Sequence, residues 1–216
     1  MPEDVRISQA MTARLQLRFV KSADDLGQLP DSPAELAFVG RSNVGKSSLL
    51  NALGAQKTLA RVSKTPGRTR LLNLFEVDGG GTVVDCPGYG YASASAKIRA
   101  SWQTTMERYL LERRQLVMIL VLVDGEIGPT PLDVQMLEWL RSHGRPHTVI
   151  ATKHDKVKSS ARDKRKRELA AGCDLAPSEI VWVSAAKNVG LDRLRELAAA
   201  WLSTTEGRGR PKRWET

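Results

Sequence analysis

Apolar residues recur along this chain in short continuous runs, separated by longer stretches with helical spacing. Runs at 36–39, 71–77, 82–86, 116–123, 147–152 and 180–184 predict strands. At 14–20, Arg14, Gln16 and Arg18 alternate with Leu15, Leu17 and Phe19, which predicts a half-exposed strand. Helices are predicted at 46–54, 95–113, 131–142, 160–171 and 190–203. Two have well-defined inner stripes: Ile98, Trp102, Met106 and Tyr109 in one, Leu191, Leu194, Ala198 and Trp201 in the other. These aromatics read as core packing. Thr130 before Pro131 marks a helix start, with threonine as cap and proline in the first turn. The longest apolar run, Leu116 to Val123, has the character of a central strand buried on both faces and is too short to cross a membrane.

Strands alternating with helices predict a three-layer α/β fold, a mostly parallel sheet with helices on both faces. In such folds a ligand binds beyond the carboxyl ends of the strands. A chain of 216 residues suits one domain of this kind. Residues 1–13 lack periodicity and are expected to be flexible, 14–204 form the domain, and 205–216, with Gly207, Gly209 and Pro211 among charges, read as a flexible basic tail. Residues 22–33, rich in Asp and Pro, read as a loop or short helix.

The loop after the strand at 36–39 carries the first chemistry. Gly40-Arg41-Ser42-Asn43-Val44-Gly45-Lys46-Ser47 is a complete GxxxxGK[ST] sequence, followed by helix-forming Ser48 to Leu53. Its glycines let the backbone aim consecutive N–H groups at phosphate oxygens, and the new helix points its positive end at the same anion. Lys46 is expected at the β- and γ-phosphates and Ser47 on Mg²⁺. The chain therefore binds a nucleoside triphosphate.

Two further segments turn a phosphate site into a switch. Asp85-Cys86-Pro87-Gly88 is a DxxG sequence at a strand end. Asp85 is placed to hold Mg²⁺ through water, and the Gly88 N–H to meet a γ-phosphate and lose it on hydrolysis. Between the two lies Thr65-Pro66-Gly67-Arg68-Thr69-Arg70 before Leu71, the candidate first switch. Thr65 and Thr69 both qualify by type to complete the Mg²⁺ shell; Thr69 is favoured because a strand begins just after it.

The base follows from Thr152-Lys153-His154-Asp155, an [NT]KxD pattern after the strand at 147–152. Asp155 can accept from both guanine N1–H and the exocyclic amine, a donor pair adenine lacks, and the wrong base would leave a buried charge unpaired. The Lys153 stem would cover one face of the base. Thr152 stands where asparagine is commoner, so its hydroxyl would have to tie the base loop to the phosphate loop. Ser184-Ala185-Ala186 supplies small residues near guanine O6, with Lys187 one place later than the usual Ser-Ala-Lys.

Charge adds a partner. The net charge is +9 and the pI about 9.8, with basic clusters at Lys153–Arg167 and Arg208–Arg213, which favours an anionic macromolecule over a merely solvated surface. Cys86 and Cys173 have neither disulfide-framework nor metal-ligand spacing, and the N-terminus lacks a signal-peptide layout, so the expected place is the cytosol.

With these motifs assembled, and with Pro66-Gly67-Arg68-Thr69 and Asp85-Cys86-Pro87-Gly88-Tyr89-Gly90 more specific than the rest, the chain resembles the EngB (YihA/YsxC) family of bacterial GTPases over about 14–204. The resemblance implies a TRAFAC-class, three-layer P-loop GTPase that acts in large-subunit ribosome assembly and is necessary for normal cell division and septation. It implies Mg²⁺ held at Ser47 and Thr69 and a ribosomal particle or rRNA as partner. The motif chemistry itself makes Lys46, Thr69 and Gly88 the candidate catalytic residues; no membrane partner is expected, and a monomer is the default. Asn43 matches an asparagine that coordinates K⁺ in related potassium-stimulated GTPases. Tyr89 stands where Ras-like proteins carry a water-orienting glutamine, which predicts slow intrinsic hydrolysis; Arg68 is a candidate arginine finger in cis. Two alternatives stand beside this reading: a P-loop kinase, which leaves Asp155 unexplained, and a non-enzymatic, nucleotide-dependent interaction protein in septation.

Overall fold

The computed structural model describes residues 15–56, 59, 71–90 and 96–203. Seven strands form one sheet: β1 (Leu17–Ala23), β2 (Glu35–Gly40), β3 (Leu72–Val77), β4 (Thr82–Asp85), β5 (Leu116–Asp124), β6 (His147–Thr152) and β7 (Ile180–Trp182). Their spatial order is β1-β3-β4-β2-β5-β6-β7. From β4 to β7 all pairings are parallel; β3 alone runs against the other strands, pairing antiparallel with both β4 and the edge strand β1. Among the described residues there are five α-helices, α1 (Lys46–Leu53), α2 (Ala96–Glu112), α3 (Pro131–Ser142), α4 (Arg162–Gly172) and α5 (Leu191–Ser203).

Alternation along each central strand divides the core in two. In β2, Ala37 and Val39 face the α2, α3 and α4 side with Tyr109, Leu137 and Leu169, while Leu36 and Phe38 face the α1 and α5 side with Leu50 and Leu194. β5 does the same with Ile119, Val121 and Val123 against Leu120 and Leu122. Both faces are dry, which is why these strands read as unbroken apolar runs. Three-layer architecture follows directly.

Several predicted boundaries move. The first strand is not 14–20 but Leu17–Ala23, because the β1–β3 register slips between Phe19 and Lys21, and this irregularity carries the pairing on to Ala23. β7 stops at Trp182 rather than 184, since Ser184 turns back to pair with Val189. The predicted helix at 160–171 begins only at Arg162, after a 3₁₀ turn at Ser159–Ala161. Within the Asp- and Pro-rich stretch a 3₁₀ turn forms at Leu26–Gln28. Met106 and Tyr109 are buried as the stripe required; Ile98 and Trp102 lie outside the described side chains.

The floor of the sheet holds a buried ion pair that no motif announced. Glu35, fully buried at the start of β2, accepts from Arg113 Nε and Nη2 at 3.0 Å each, from the Tyr109 hydroxyl at 2.9 Å and from Thr82 Oγ1 at 2.9 Å. Arg113 Nη2 also donates to the Pro30 carbonyl at 2.6 Å. Every oxygen lone-pair direction that matters is used, so the charge is tolerable in a dry site. This ties α2, β4 and the 30–35 turn to the end of β2 opposite Gly40. We predict that Glu35→Gln, which strands the Arg113 charge, lowers unfolding stability by about 3–5 kcal/mol in urea titrations. The double replacement Glu35→Leu with Arg113→Met should recover most of it; an unshifted midpoint in the single variant would show the pair to be idle.

Candidate nucleotide site

The carboxyl ends of β2, β4, β5 and β6 and the turn after β7 lie along one rim. Register sets their heights: Phe38 lies opposite Asp85, Gly40 opposite Leu122, and Asp124 opposite Thr152. Gly45 caps α1 at φ 110°, a left-handed conformation that favours glycine, and no side chain caps the helix. The first amides of α1 therefore remain free to meet an anion.

Lys46 is buried, and its Nζ donates to the Gly40 and Arg41 carbonyls at 3.1 and 3.3 Å. Burial lowers its pKa, with Asp85 opposing. Asp85 is also buried, and burial raises its carboxyl to about 6 against the pull of Lys46 and of a hydrogen bond from Ser47. Its Oδ1 has no hydrogen-bond partner among the described residues. An orphaned carboxylate oxygen beside a serine hydroxyl suits a hard divalent cation. Cys86 is buried, which pushes its thiol well up, so it packs rather than reacts.

The DxxG segment lies directly on the phosphate loop. Ser42 N–H donates to the Tyr89 carbonyl at 3.1 Å and Tyr89 N–H to the Gly40 carbonyl at 3.3 Å. A Cβ at Gly88 would sit 2.9 Å from Ser42 N and Oγ, so only glycine permits this approach. Tyr89 points its hydroxyl at Asp133 Oδ1, 2.9 Å away. Burial and Asp133 together push the phenol far above its ordinary pKa, so it stays a donor. Asp133, fully buried in the first turn of α3, accepts from Thr130 N–H at 2.8 Å and Thr130 Oγ1 at 2.7 Å through Oδ2, which also faces Arg41 Nε at 3.4 Å. Thr130 is thus the N-cap residue of α3, as the sequence required, and its hydroxyl also donates to Asp133 within the capping box.

On the base side, Thr152 Oγ1 donates to the Val44 carbonyl at 2.7 Å, supplying the tie between the two loops that the sequence demanded. Lys153 takes φ 55° and places Nζ 2.6 Å from Asp124 Oδ2, which stretches its stem along the rim. Ser184 Oγ donates to Asp155 Oδ1 at 2.5 Å, and this bond, first among several causes, lowers the Asp155 pKa. The Ser184 amide is engaged by the Val189 carbonyl, leaving half-buried Ala185 and exposed Ala186 at the lip of the turn. Lys187 contributes its backbone N–H to Ser184 Oγ at 3.1 Å, a bond that does not depend on its being lysine. His154 is half-buried against Trp182, ring centroids 5.4 Å apart.

The structure thus gathers Gly40, Arg41, Ser42, Asn43, Val44, Gly45, Lys46, Ser47 and Ser48 with Asp85 to Gly88, Thr152 to Asp155 and Ser184 to Ala186. Gly67, Arg68, Thr69 and Arg70, like Thr65, lie outside the described residues, and Leu71 just precedes β3. Asp124 and Asp133 were missed, although each left a trace. Asp124 is an acid closing an apolar run before Gly125, and Asp133 stands three residues after Thr130 in a capping-box spacing.

Fold and rim define a P-loop GTPase. A family model described as "50S ribosome-binding GTPase" matches residues 35–153, and the "Probable GTP-binding protein EngB" of Pelotomaculum thermopropionicum is 46% identical over 184 residues, 84% of this chain and 91% of that one. The chain belongs to the EngB family of GTP-binding proteins, and hydrolyses GTP as that family does. Among solved structures, a probable GTP-binding protein engB superposes with TM-score 0.64 at 25% identity, covering 78% of this chain and 98% of that one. Era in complex with MgGDPNP and nucleotides 1506–1542 of 16S ribosomal RNA gives TM-score 0.63 at 26% identity, covering 82% and 58%.

Thr152→Val keeps the shape but leaves the buried Val44 carbonyl without this donor. We expect a stability loss of about 1–3 kcal/mol together with weaker GDP binding, read by calorimetry. Unchanged GDP affinity would show that the two loops are held in place without this bond.

Proposed function

We propose that this GTPase is a molecular switch in assembly of the large ribosomal subunit, working as a cytoplasmic monomer and thereby necessary for normal cell division and septation. The contact of Gly88 with Ser42 carries the switch reading. A segment resting on the phosphate loop feels the γ-phosphate directly and is released when it leaves. Amides from Gly40 to Ser48 cradle the phosphates, with Lys46 at the β- and γ-positions. Ser47, Thr69 and, through water, Asp85 would hold Mg²⁺, which supplies charge neutralisation on the phosphates. Gly67, Arg68, Arg70 and Leu71 flank Thr69 in the first switch, and Cys86 and Pro87 carry Gly88 into place.

Asp155 selects guanine. Its lowered pKa keeps it an acceptor for both base donors, the Lys153 stem covers one face, His154 positions the turn, and the Ala185 and Ala186 amides meet O6. Lys46, Thr69 and Gly88 stabilise the transferring phosphoryl group. No residue in the described part of the rim is positioned as the Ras-like glutamine would be, because the Tyr89 hydroxyl is committed to Asp133. Intrinsic hydrolysis is therefore slow and is raised by a partner or an ion.

The ribosomal half of the reading is supported by the net charge of +9, by the description of the matching family model, and by the RNA held by the structurally similar Era. Among the described residues no helix is long and apolar enough to cross a membrane. Family membership favours hydrolysis over the kinase and non-enzymatic alternatives.

Sedimentation with ribosomal subunits tests this reading. Binding to large-subunit particles is expected to be about tenfold tighter with a non-hydrolysable GTP analogue than with GDP, within the usual range of allosteric coupling. Identical binding with GTP analogue, GDP and no nucleotide would falsify the switch. Asn43, at φ 65° on the exposed side of the loop, is assigned a K⁺ ligand role. Turnover should then fall several-fold when Na⁺ replaces K⁺, and Asn43→Ala should abolish that difference; equal wild-type rates in the two salts count against it.

A further inference from the structure

Five cations gather beside the guanine end of the rim. Lys156 and Lys158 follow Asp155, while Arg162, Lys166 and Arg167 lie on the first turns of α4. Loop and helix are joined: Arg162 Nε donates to the Val157 carbonyl at 3.4 Å, and Val157 is buried. Arg162 and Lys166 stand one helical turn apart, and after burial both hold His154 below its ordinary pKa, so the two face the same loop. Neighbouring cations are neutralised locally. Arg165 and Lys164 meet Glu168 at 3.4 and 3.8 Å, and Lys153 meets Asp124. Among the described residues Lys156, Lys158, Lys166 and Arg167 have no ion-pair partner.

What surrounds these charges identifies the partner. From 156 to 168 the exposed side chains are Lys, Arg, Ser, Ala, Asp and Glu, with no apolar group larger than alanine. A membrane-binding face would present Leu, Phe or Trp for insertion. A single-strand platform would present aromatic rings for stacking bases, whereas His154 is turned inward against Trp182. Unpaired donors spread over one rigid helix and its leading loop suit evenly spaced phosphates recognised by shape.

We infer that Lys156, Lys158, Arg162, Lys166 and Arg167 form a docking surface for the phosphate backbone of duplex RNA. The inference rests on the ribosomal reading above and narrows it to one face and one form of nucleic acid. In the sheet order this face adjoins β6, while Asp85 to Gly90 follows β4 on the other side of β2 and β5. RNA affinity through it is therefore the same in the GDP and GTP-analogue forms, and nucleotide dependence arises at the switch side.

The test compares the full chain with the variant Lys156→Ala, Lys158→Ala, Lys166→Ala, Arg167→Ala, by fluorescence anisotropy with an RNA hairpin of about 16 base pairs. Arg162 is kept because it bonds the loop. The basic tail is present in both proteins, so the difference reports this face. With a log–log salt slope of about −0.9 per phosphate contact, five contacts should make wild-type affinity fall about five-hundredfold between 50 and 200 mM KCl. The variant should lose about 3–4 from that slope and bind at least about tenfold more weakly at 100 mM. GTP turnover and thermal midpoint should stay at wild-type values. An unaltered slope overturns the surface, as does tighter wild-type binding of an unstructured strand of equal length or of phosphatidylserine vesicles. Variant sedimentation with large-subunit particles at the wild-type level also overturns it, while leaving the ribosomal reading intact. Loss of hairpin binding in the variant, with neither protein binding particles, would support the surface and sink the ribosomal reading.

Discussion

Glu35–Gly40 lies between β4 and β5 with every residue buried, so its backbone N–H and C=O groups have no water to turn to and must be met by both neighbouring strands. That requirement fixes register on both sides of β2. Register in turn fixes how far each strand end projects past the sheet, and the rim is the set of those ends. Sliding β4 by one residue would move Asp85 out of line with Phe38 and reverse which of its side chains enter each half of the core. The Glu35–Arg113 pair at the opposite end of β2 holds the same strand from below. Precision at the phosphate loop is thus inherited from backbone pairing far from it.

Charge is used differently in the rim and on the surface. In the rim each of the buried acids Asp85, Asp124 and Asp133 has a cation near it: Lys46 near Asp85, Lys153 on Asp124, Arg41 beside Asp133. Such pairs are costly to break because one partner is left dry and uncompensated. They contribute placement more than net stability. The surface pairs, such as Arg18 with Glu76 or Arg108 with Glu112, are solvated and worth little. The same guanidinium chemistry therefore orients loops at the rim and merely decorates the edge strand.

Much of this was legible in the sequence because it depends on local pattern. Apolar runs revealed the central strands, and the phosphate loop, DxxG and [NT]KxD segments each carry their geometry in a few adjacent residues. Thr152 shows how far such reading reaches: one unusual residue foretold a bond to Val44, far away in the chain. What escaped was cooperative in space. The β1 boundary shifted because an irregularity in pairing with β3, invisible in β1 alone, changed which residues point inward. Asp124 and Asp133 escaped because an isolated acid says nothing about the lysine, arginine or tyrosine that folding brings to it. Glu35 escaped for the same reason, since Arg113 reaches it only after the sheet and α2 have packed.

Asp133 has a consequence for how this sequence can change. One carboxylate answers to a helix start at Thr130, to Arg41 in the phosphate loop and to the Tyr89 hydroxyl. Replacing Tyr89 by glutamine would therefore not simply install a different group next to the phosphates. It would remove the donor that occupies Asp133 Oδ1 and loosen a junction shared by three elements. Positions 41, 89 and 133 form a unit in which a single replacement costs more than its own lost contact and concerted ones are better tolerated, so Tyr89 answers to its neighbours as much as to its own chemistry.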